Sequence, residues 1–261
     1  REAVIVDKAR FPRDKICGDG LTSGALRHLE EIGVDPGRVA SWRTVEEMRV
    51  VTPTGAERVL PFPIGGGTYA ALARRVDLDA EVLDAARRAG ATVHEGATLR
   101  GVVHPGDADE PAVVEVDGLG RVRAHHVVAA DGMWSPTRRA LGVGPTGYRG
   151  ECHAFRQYLT GAAAPAHEAI WVWFETDLLP GYAWSFPLGD GTVNVGFGIH
   201  RGHRVEVAEM GDVWRSLLER PALREVLGDG WSAEGPHRAW PIPARVGDLP
   251  LASGRTLFVG D

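Results

Sequence analysis

Residues 3–21 read AVIVDKARFPRDKICGDGL, and they are the residues that best indicate the fold class. Its first five residues are a continuous apolar run that ends in an acid, Asp7, as is typical of a buried parallel strand. The segment that follows, residues 11–20, is irregular and contains glycine. In folds that bind dinucleotides, an acid at such a strand end accepts hydrogen bonds from a ribose diol, although it is more often simply solvated. The stretch therefore predicts an α/β fold built on parallel strands.

The composition is that of an ordinary globular protein. Of its 261 residues, 44% are hydrophobic and 25% are charged, which is enough for a substantial core. The formal net charge of −6 offers no basic surface for nucleic acid. No apolar run approaches the roughly 18 residues that span a bilayer, and the first residues lack a signal-peptide pattern. Because Cys17 and Cys152 are the only cysteines, we expect a reducing, cytoplasmic location.

An apolar run lies at each end of the chain. A strand of the interior type occupies residues 3–7, and residues 256–261 form a second run that stops at Gly260 and Asp261. Residue 1 is Arg rather than Met. The glycine fingerprint that normally precedes an acid such as Asp7 by about 20 residues is also absent. We therefore expect the chain to be part of a longer protein.

The predicted elements divide the chain into two domains. Thr22 is expected to cap a helix that ends at Gly33, and a second helix begins at Asp77 or Asp79 and ends at Gly90. From residue 148 onward, alternating segments that hold most of the Trp residues indicate an antiparallel sheet with one covered face. A further helix is expected at residues 205–218. The predicted dinucleotide-type domain comprises residues 1–34, 73–144 and 246–261, and the predicted sheet domain that interrupts it comprises residues 35–72 and 145–245.

Residues 7–21 resemble the segment after the second strand of geranylgeranyl reductase-type flavoproteins. The resemblance implies FAD as the cofactor, a Rossmann-like FAD-binding domain and a substrate-binding sheet domain. In the family this loop passes along the FAD, with its Lys-x-Cys-Gly element beside the isoalloxazine, and glycine leaves room for a flat ring to approach the backbone. Cys17 becomes a candidate proton relay and catalytic residue; the alternative is a buried small hydrophobe. The cofactor contacts implied for this loop are Lys8, Cys17, Gly18, Asp19 and Gly20, besides Asp7.

Other elements resemble the same family in the same order. Residues 129–136, AADGMWSP, are similar to the turn that closes over the dinucleotide where a strand meets a helix. The terminal LFVGD resembles the strand whose Gly-Asp places a carboxylate on the ribityl chain. Arg74 or Arg75 matches the arginine that reaches the cofactor phosphates, the alternative being a solvated basic pair. The further cofactor residues that the resemblance implies are Leu99, Asp131, Gly132, Gly260 and Asp261.

An aromatic strand carries the most specific signal. Residues 182–187 read YAWSFP, and GFG follows at residues 196–198. This pair resembles the geranylgeranyl reductase signature that walls the isoprenoid channel near the flavin. Alternation places three rings on one face of the strand, although such alternation also occurs in plain sheet cores. The implied substrate-binding residues are Tyr182, Trp184, Phe186, Pro187, Gly196 and Gly198.

The expected function is reduction of the double bonds of a prenyl chain. The resemblance implies hydride transfer from reduced FAD, with NAD(P)H or another reductant as electron donor. A prenyl lipid or prenylated quinone is the expected substrate, and a substrate embedded in lipid implies shallow contact with the cytoplasmic face of a membrane. Two alternatives stay open: a flavin-dependent monooxygenase or halogenase acting on a small aromatic, and a noncatalytic lipid-binding module. The histidines lack metal-ligand spacing, so no metal is expected, and the oligomeric state is not predicted.

Overall fold

The computed structural model describes residues 2–63, 65, 67–104, 110–144, 147–244 and 247–260. Asp261, one of the predicted cofactor residues, lies outside these ranges. Internal contacts divide the chain into two compact units. We call them the parallel-strand unit, which comprises Arg1–Phe11, Arg87–Glu151 and Pro241–Asp261, and the large-sheet unit, which comprises Pro12–Ala86 and Cys152–Trp240.

The described residues combine α-helices with parallel and antiparallel β-strands, which confirms the predicted α/β class. The helices of the described residues are α1 Ser23–Glu31, α2 Arg75–Arg88, α3 Pro136–Ala140, α4 Met210–Leu218 and α5 Pro221–Leu227. The strands are β1 Val4–Asp7, β2 Gly20–Thr22, β3 Arg43–Thr44, β4 Glu47–Val51, β5 Glu57–Pro61, β6 Ala70–Leu72, β7 Thr92–Glu95, β8 Leu99–Val103, β9 Ala112–Val116, β10 Gly120–Ala124, β11 Val127–Ala129, β12 Cys152–Thr160, β13 Ile170–Trp173, β14 Tyr182–Pro187, β15 Val193–His200, β16 Ser232–Ile242, β17 Ala252–Ser253 and β18 Thr256–Phe258.

The parallel-strand unit contains the predicted parallel strands. β1 was also predicted to be buried, but none of its residues is, because within the described residues β7 is its only strand partner, and Val4 is 43% exposed. β1 pairs in parallel with β7, so that Asp7 lies opposite Glu95 at the carboxyl ends of both strands. β11 pairs in parallel with β18, and β8, β9 and β10 form an antiparallel sheet. The predicted buried strand at residues 126–130 is shorter, since β11 ends at Ala129, and Val128 is 61% exposed.

The large-sheet unit is built on a seven-stranded sheet of order β16-β12-β15-β14-β13-β4-β5. Its pairs β12·β15, β15·β14, β14·β13 and β4·β5 are antiparallel, whereas β13 and β4 run in parallel. A smaller sheet joins β2, β6 and β3. Residues 12–34 and 73–86, which were predicted for the dinucleotide-type domain, have most of their contacts within this unit.

The central strands of the large sheet are covered on both faces, so the prediction of one covered face was wrong for them, although β5 and most of β16 are exposed. Trp171 and Trp173 pack into one apolar cluster, while Ile170 and Val172 pack into another. The physical reason is that residues 170–173 are apolar at every position, so the strand has no polar face to leave in water.

The helices differ from their predictions mainly at the ends. α1 begins after Thr22, whose side chain accepts a hydrogen bond from the amide of Ala25, as predicted. α2 begins at Arg75, before Asp77. The predicted helix at residues 205–218 begins with a 3₁₀ turn and becomes α4 at Met210, and Pro221 opens the unpredicted helix α5. Within the described residues, no helix is both long and apolar enough to cross a bilayer.

Candidate functional site

The loop Cys17–Gly20 packs directly on the aromatic strand β14. A Cβ atom on Gly18 would lie 3.5 Å from Cε2 of Phe186 and 3.7 Å from Cε2 of Trp184. A Cβ atom on Gly20 would also lie 3.5 Å from the Phe186 ring. The lack of side chains at residues 18 and 20 therefore lets the backbone lie against the rings. The structure thus brings together the predicted flavin loop and the predicted substrate wall within the large-sheet unit.

The three predicted aromatic residues form a continuous row on one face of β14. The ring centroids of Tyr182 and Trp184 are 6.0 Å apart, and those of Trp184 and Phe186 are also 6.0 Å apart. Tyr182, at the start of the row, is 42% exposed, whereas Trp184 is buried. The row is therefore exposed at Tyr182, buried at Trp184 and half-buried at Phe186.

The glycines of β15 have different surroundings. Gly196 lies opposite Trp184, and a Cβ on Gly196 would come within 2.3 Å of Cζ2 of that ring. For Gly198 the nearest such atom is the carbonyl oxygen of His153, at 3.8 Å. Gly196 is thus needed to seat the indole ring, while Gly198 leaves open space beside Tyr182, its partner across the strands. Pro187 ends the strand in a buried position opposite Val193.

Asp19 links the loop to the sheet through its carboxyl group. Oδ2 accepts hydrogen bonds from the Tyr158 hydroxyl at 2.7 Å and from Nδ2 of Asn194 at 2.8 Å. Asn194 Nδ2 also donates to the carbonyl oxygen of Cys17 at 2.9 Å, and Asn194 Oδ1 accepts from the Trp184 indole at 3.1 Å. One amide side chain therefore connects the loop backbone, the Asp19 carboxyl and the aromatic row.

The Asp19 carboxyl is buried and titrates near neutral pH. The residue is 1% exposed. Burial raises the pKa of Asp19 to about 6. The hydrogen bonds from Asn194 and Tyr158, the charge of Arg156 and the Arg75 amide all favour the carboxylate, but burial outweighs them. Asp19 can therefore change its protonation state near physiological pH, as an acid that donates or accepts a proton at this site would need to do.

Arg74 and Arg75 are both engaged by carboxylates of the large-sheet unit. Arg74 lies 2.7 Å from Asp190 and 2.6 Å from Glu234, and its hydrogen bond to Glu234 is the largest effect that raises the pKa of Arg74. Arg75 Nε lies 2.6 Å from Asp79. Burial lowers the pKa of Arg75, but hydrogen bonds to Asp79 and to the Cys17 side chain outweigh burial and raise it above the usual range. Contact of either arginine with cofactor phosphates stays a prediction.

The remaining predicted cofactor residues lie in the parallel-strand unit. Oδ1 of Asp7 accepts a hydrogen bond from the amide of Ala9 at 2.8 Å, and no hydrogen bond of the described residues involves Oδ2. Oδ2 of Asp131 accepts from the amide of Thr137 in α3 at 2.9 Å, so this acid holds the turn before the helix. The other four positions differ in character. Lys8 is exposed and Leu99 begins β8. Gly132 and Gly260 have positive φ, with open space where a Cβ would be.

Within each unit, taken by itself, some of the predicted positions fit contact with a flavin dinucleotide. Asp7 has a carboxyl oxygen free within the described residues at the end of a parallel strand, as a ribose diol requires. Gly132 and Gly260 leave room for close approach to the backbone. Oδ1 of Asp19 is buried without a hydrogen-bond partner of normal geometry in the described part of the chain.

The sequence motifs did not identify Tyr158, Asn194 or Arg156. Tyr158 and Asn194 are direct cross-strand partners on β12 and β15, and Arg156 lies opposite Gly196. Arg156 binds Asp14 at 2.7 Å, and its guanidinium carbon lies 4.3 Å from the centre of the Tyr158 ring. A polar Asn within the apolar run Val193–His200 was the only signal in the sequence that could have marked this network.

Comparison with known proteins assigns the family. The model of the FAD binding domain family matches residues 2–183. The menaquinone reductase of Mycolicibacterium smegmatis is 35% identical over 213 residues, which are 76% of this chain and 49% of that protein. Digeranylgeranylglycerophospholipid reductase 2 of Methanopyrus kandleri is 30% identical over 267 residues, which are 99% of this chain and 61% of that protein. The chain thus spans about half to three fifths of the length of these relatives.

A solved structure supports the fold. The geranylgeranyl bacteriochlorophyll reductase-like protein of Thermoplasma acidophilum superposes with a TM-score of 0.79 and 21% identity, covering 99% of this chain and 64% of that one. The relatives and this fold agree with the resemblance predicted from residues 7–21 and 182–198. The chain therefore belongs to the FAD-binding domain family of flavin-dependent oxidoreductases, as the sequence motifs predicted.

Proposed function

We propose that the full-length protein is an FAD-dependent reductase that saturates carbon-carbon double bonds of a geranylgeranyl or other polyprenyl chain. The observation that carries this proposal is the packing of Gly18 and Gly20 on Phe186 and Trp184, which joins the flavin loop to a row of aromatic rings. A hydrocarbon chain needs an apolar surface of this kind beside the cofactor.

The residues of the large-sheet unit would act by alignment and exclusion of water. An isolated double bond has no carbonyl group to polarise, so its reduction depends on a dry site and close alignment. Tyr182, Trp184 and Phe186 would hold the prenyl chain, with the open space at Gly198 next to Tyr182 as its entry. Cys17, on the same loop, stays our candidate for moving the proton.

The residues predicted from the sequence to contact FAD stay part of the proposal. In the parallel-strand unit these are Asp7, Lys8, Leu99, Asp131, Gly132 and Gly260, and in the large-sheet unit they are the loop Cys17–Gly20 with Arg74 or Arg75. When bound, FAD supplies the hydride donor, and NAD(P)H or another reductant would supply its electrons. The domain boundaries predicted from the sequence remain part of this proposal.

The names of two relatives support the proposed substrate class. One relative is named for a digeranylgeranyl glycerophospholipid and another for menaquinone. A prenyl lipid and a prenylated quinone share the polyprenyl chain, which is the part that the aromatic row would contact. We therefore propose a polyprenyl substrate taken from the surface of a membrane.

The test uses the full-length protein loaded with FAD and reduced chemically under nitrogen. A geranylgeranyl glycerolipid and a menaquinone are added separately, and the products are analysed by mass spectrometry. We expect a gain of two hydrogens per reduced double bond, together with reoxidation of the flavin absorbance. Tyr182→Ala should lower the rate by about tenfold because the substrate is held less well, while Tyr182→Phe, which keeps the ring, should retain it.

Three outcomes would contradict the proposal. Absence of added hydrogen with both lipids would remove the reductase assignment. An oxygen-containing product of a small aromatic, formed only in air, would instead support the monooxygenase or halogenase. Flavin that binds but never turns over with any substrate would favour a noncatalytic lipid-binding protein.

A further inference from the structure

Asp19 has a backbone conformation that its residue type rarely adopts. Its φ is +66°, and within the described residues it is the only non-glycine residue with positive φ. Such a conformation costs about 1–3 kcal/mol and persists only where the surroundings impose it. The residue lies between two glycines in the loop Cys17–Gly20, so the strain is placed where the loop meets the aromatic row.

The surroundings that impose this conformation are the contacts of the Asp19 side chain and carbonyl group. The carboxyl is held by Tyr158 of β12 and Asn194 of β15. The carbonyl oxygen of Asp19 accepts a hydrogen bond from the amide of Ala73 at 3.1 Å. Ala73 is fully buried just before α2. The side chain and the backbone of one residue therefore tie the loop to two neighbouring parts of the unit.

We propose that Asp19 is a positioning residue whose buried carboxyl group, in its neutral form, anchors the loop Cys17–Gly20 on the large sheet and is released when it ionises. Both side-chain hydrogen bonds to the carboxyl end on Oδ2, and Oδ1 has no hydrogen-bond partner of normal geometry in the described residues, so a charge on the buried carboxyl is only partly compensated. Ionisation thus costs free energy only while the loop is docked, because water solvates the carboxylate once the loop opens.

The charges around Asp19 do not remove this cost. β12 brings the Arg156 guanidinium, which is shared with Asp14, and the start of α2 brings the Arg75 amide. Burial outweighs both and keeps the pKa of Asp19 at about 6 instead of 3.8. The docked state is therefore favoured below pH 3.8 and progressively disfavoured as pH rises through 6. The titratable or charged groups that face Asp19 or its direct partners are Tyr158, Arg156, Arg74, Asp14 and Cys17.

The test measures hydrogen exchange at the amide of Ala73, which becomes accessible only when Asp19 releases it. Exchange rates are corrected for the intrinsic effect of pH and expressed as an opening constant. In the wild type we expect this constant to be about tenfold larger at pH 8 than at pH 5, because ionisation favours the open loop. Asp19→Asn keeps an acceptor for Tyr158 and Asn194 but cannot ionise, so its opening constant should not change with pH.

Two further variants separate positioning from a general effect on structure. Asp19→Ala leaves Tyr158 and Asn194 without their acceptor and should open at least about tenfold more often at both pH values. Asp212→Asn, on an exposed part of α4, should follow the wild type. A wild-type opening constant that is independent of pH would overturn the proposal, as would one that equals the constant for global unfolding.

The inference rests on the proposed function only where it identifies the loop as the one that lines the flavin. The exchange measurement needs neither FAD nor substrate. If the reductase assay fails while Ala73 shows the expected response, the anchor stands and the reaction is reassigned. If the lipid is reduced but Ala73 exchange does not respond to pH, the reaction stands and the anchor is wrong.

Discussion

Gly196 shows how a single missing side chain shapes the aromatic row. The Trp184 indole occupies the space that a side chain at residue 196 would need, and its Nε1 reaches Asn194 from that position. The two glycines of the Gly-x-Gly pattern in β15 therefore serve different structural purposes. Gly196 leaves room for the Trp184 ring, whereas Gly198 leaves space beside Tyr182.

Alanine substitutions at the two glycines should therefore differ. We expect Gly196→Ala to lower the free energy of unfolding by about 2–3 kcal/mol, because the new methyl group displaces the buried Trp184 ring or the β12 backbone. Gly198→Ala, whose Cβ meets nothing closer than 3.8 Å, should change it by less than about 1 kcal/mol. Urea denaturation followed by Trp fluorescence measures both. Equal losses for the two variants would show that strand conformation, and not contact with Trp184, selects glycine.

At the scale of elements, Arg74 connects the start of α2 to the loop before β15 and to β16. Its guanidinium binds Asp190, Thr192 and Glu234, and its carbon lies 4.3 Å from the centre of the Tyr158 ring. The Arg74 side chain is mostly buried, so its ion pairs are less screened than those on the surface. This arrangement fixes α2 beside the residues that hold Asp19.

Removing the charge of Arg74 should cost more than removing that of an exposed arginine. Arg74→Gln is expected to lower the free energy of unfolding by about 2 kcal/mol, since it removes the ion-pair partner of Asp190 and Glu234 and one of the two guanidinium groups on the Tyr158 ring. Arg224→Gln is the matched control because Arg224 pairs with Glu219 and Asp229 on the surface, and it should change the free energy of unfolding far less than Arg74→Gln does. Chemical denaturation at low and high salt gives both values. A similar loss for both variants, abolished by salt, would argue that Arg74 forms only surface pairs.

At the scale of the whole molecule, two groups make stability depend on pH in opposite directions. The folded-state pKa of Asp19 is raised, so its contribution is complete below pH 3.8 and is lost as pH rises through about 6. Burial and the nearby Arg201 lower the pKa of His153, so its contribution is present above pH 6.5 and is lost on acidification. The lowered pKa values of Asp177 and Glu234 matter only at still lower pH.

The difference between the wild type and Asp19→Asn isolates the first group. His153 is the same in both proteins, so its effect cancels when their free energies of unfolding are subtracted. We expect the wild type to lose about 1.4 kcal/mol relative to Asp19→Asn between pH 5 and pH 8. Denaturant titrations at a series of pH values measure this difference. A difference that stays constant would mean that the buried carboxyl does not titrate in this range.

The sequence by itself determined the features that depend on neighbouring residues. The apolar run that ends in Asp7 became a parallel strand, Thr22 capped α1, and alternation placed Tyr182, Trp184 and Phe186 on one face. The motifs also predicted the FAD-binding family. Local periodicity and capping chemistry suffice for such features because they involve residues only a few positions apart.

The contacts of the Asp19 side chain, by contrast, depend on the tertiary structure. Tyr158 and Asn194 are 139 and 175 residues away from it, and they meet only because β12 and β15 pair in one particular register. The same long-range packing covers both faces of the central strands of the large sheet. It also places residues 12–34 within the large-sheet unit. Burial and hydrogen bonding between distant strands set the protonation of a carboxyl group, and no local pattern of residues encodes them.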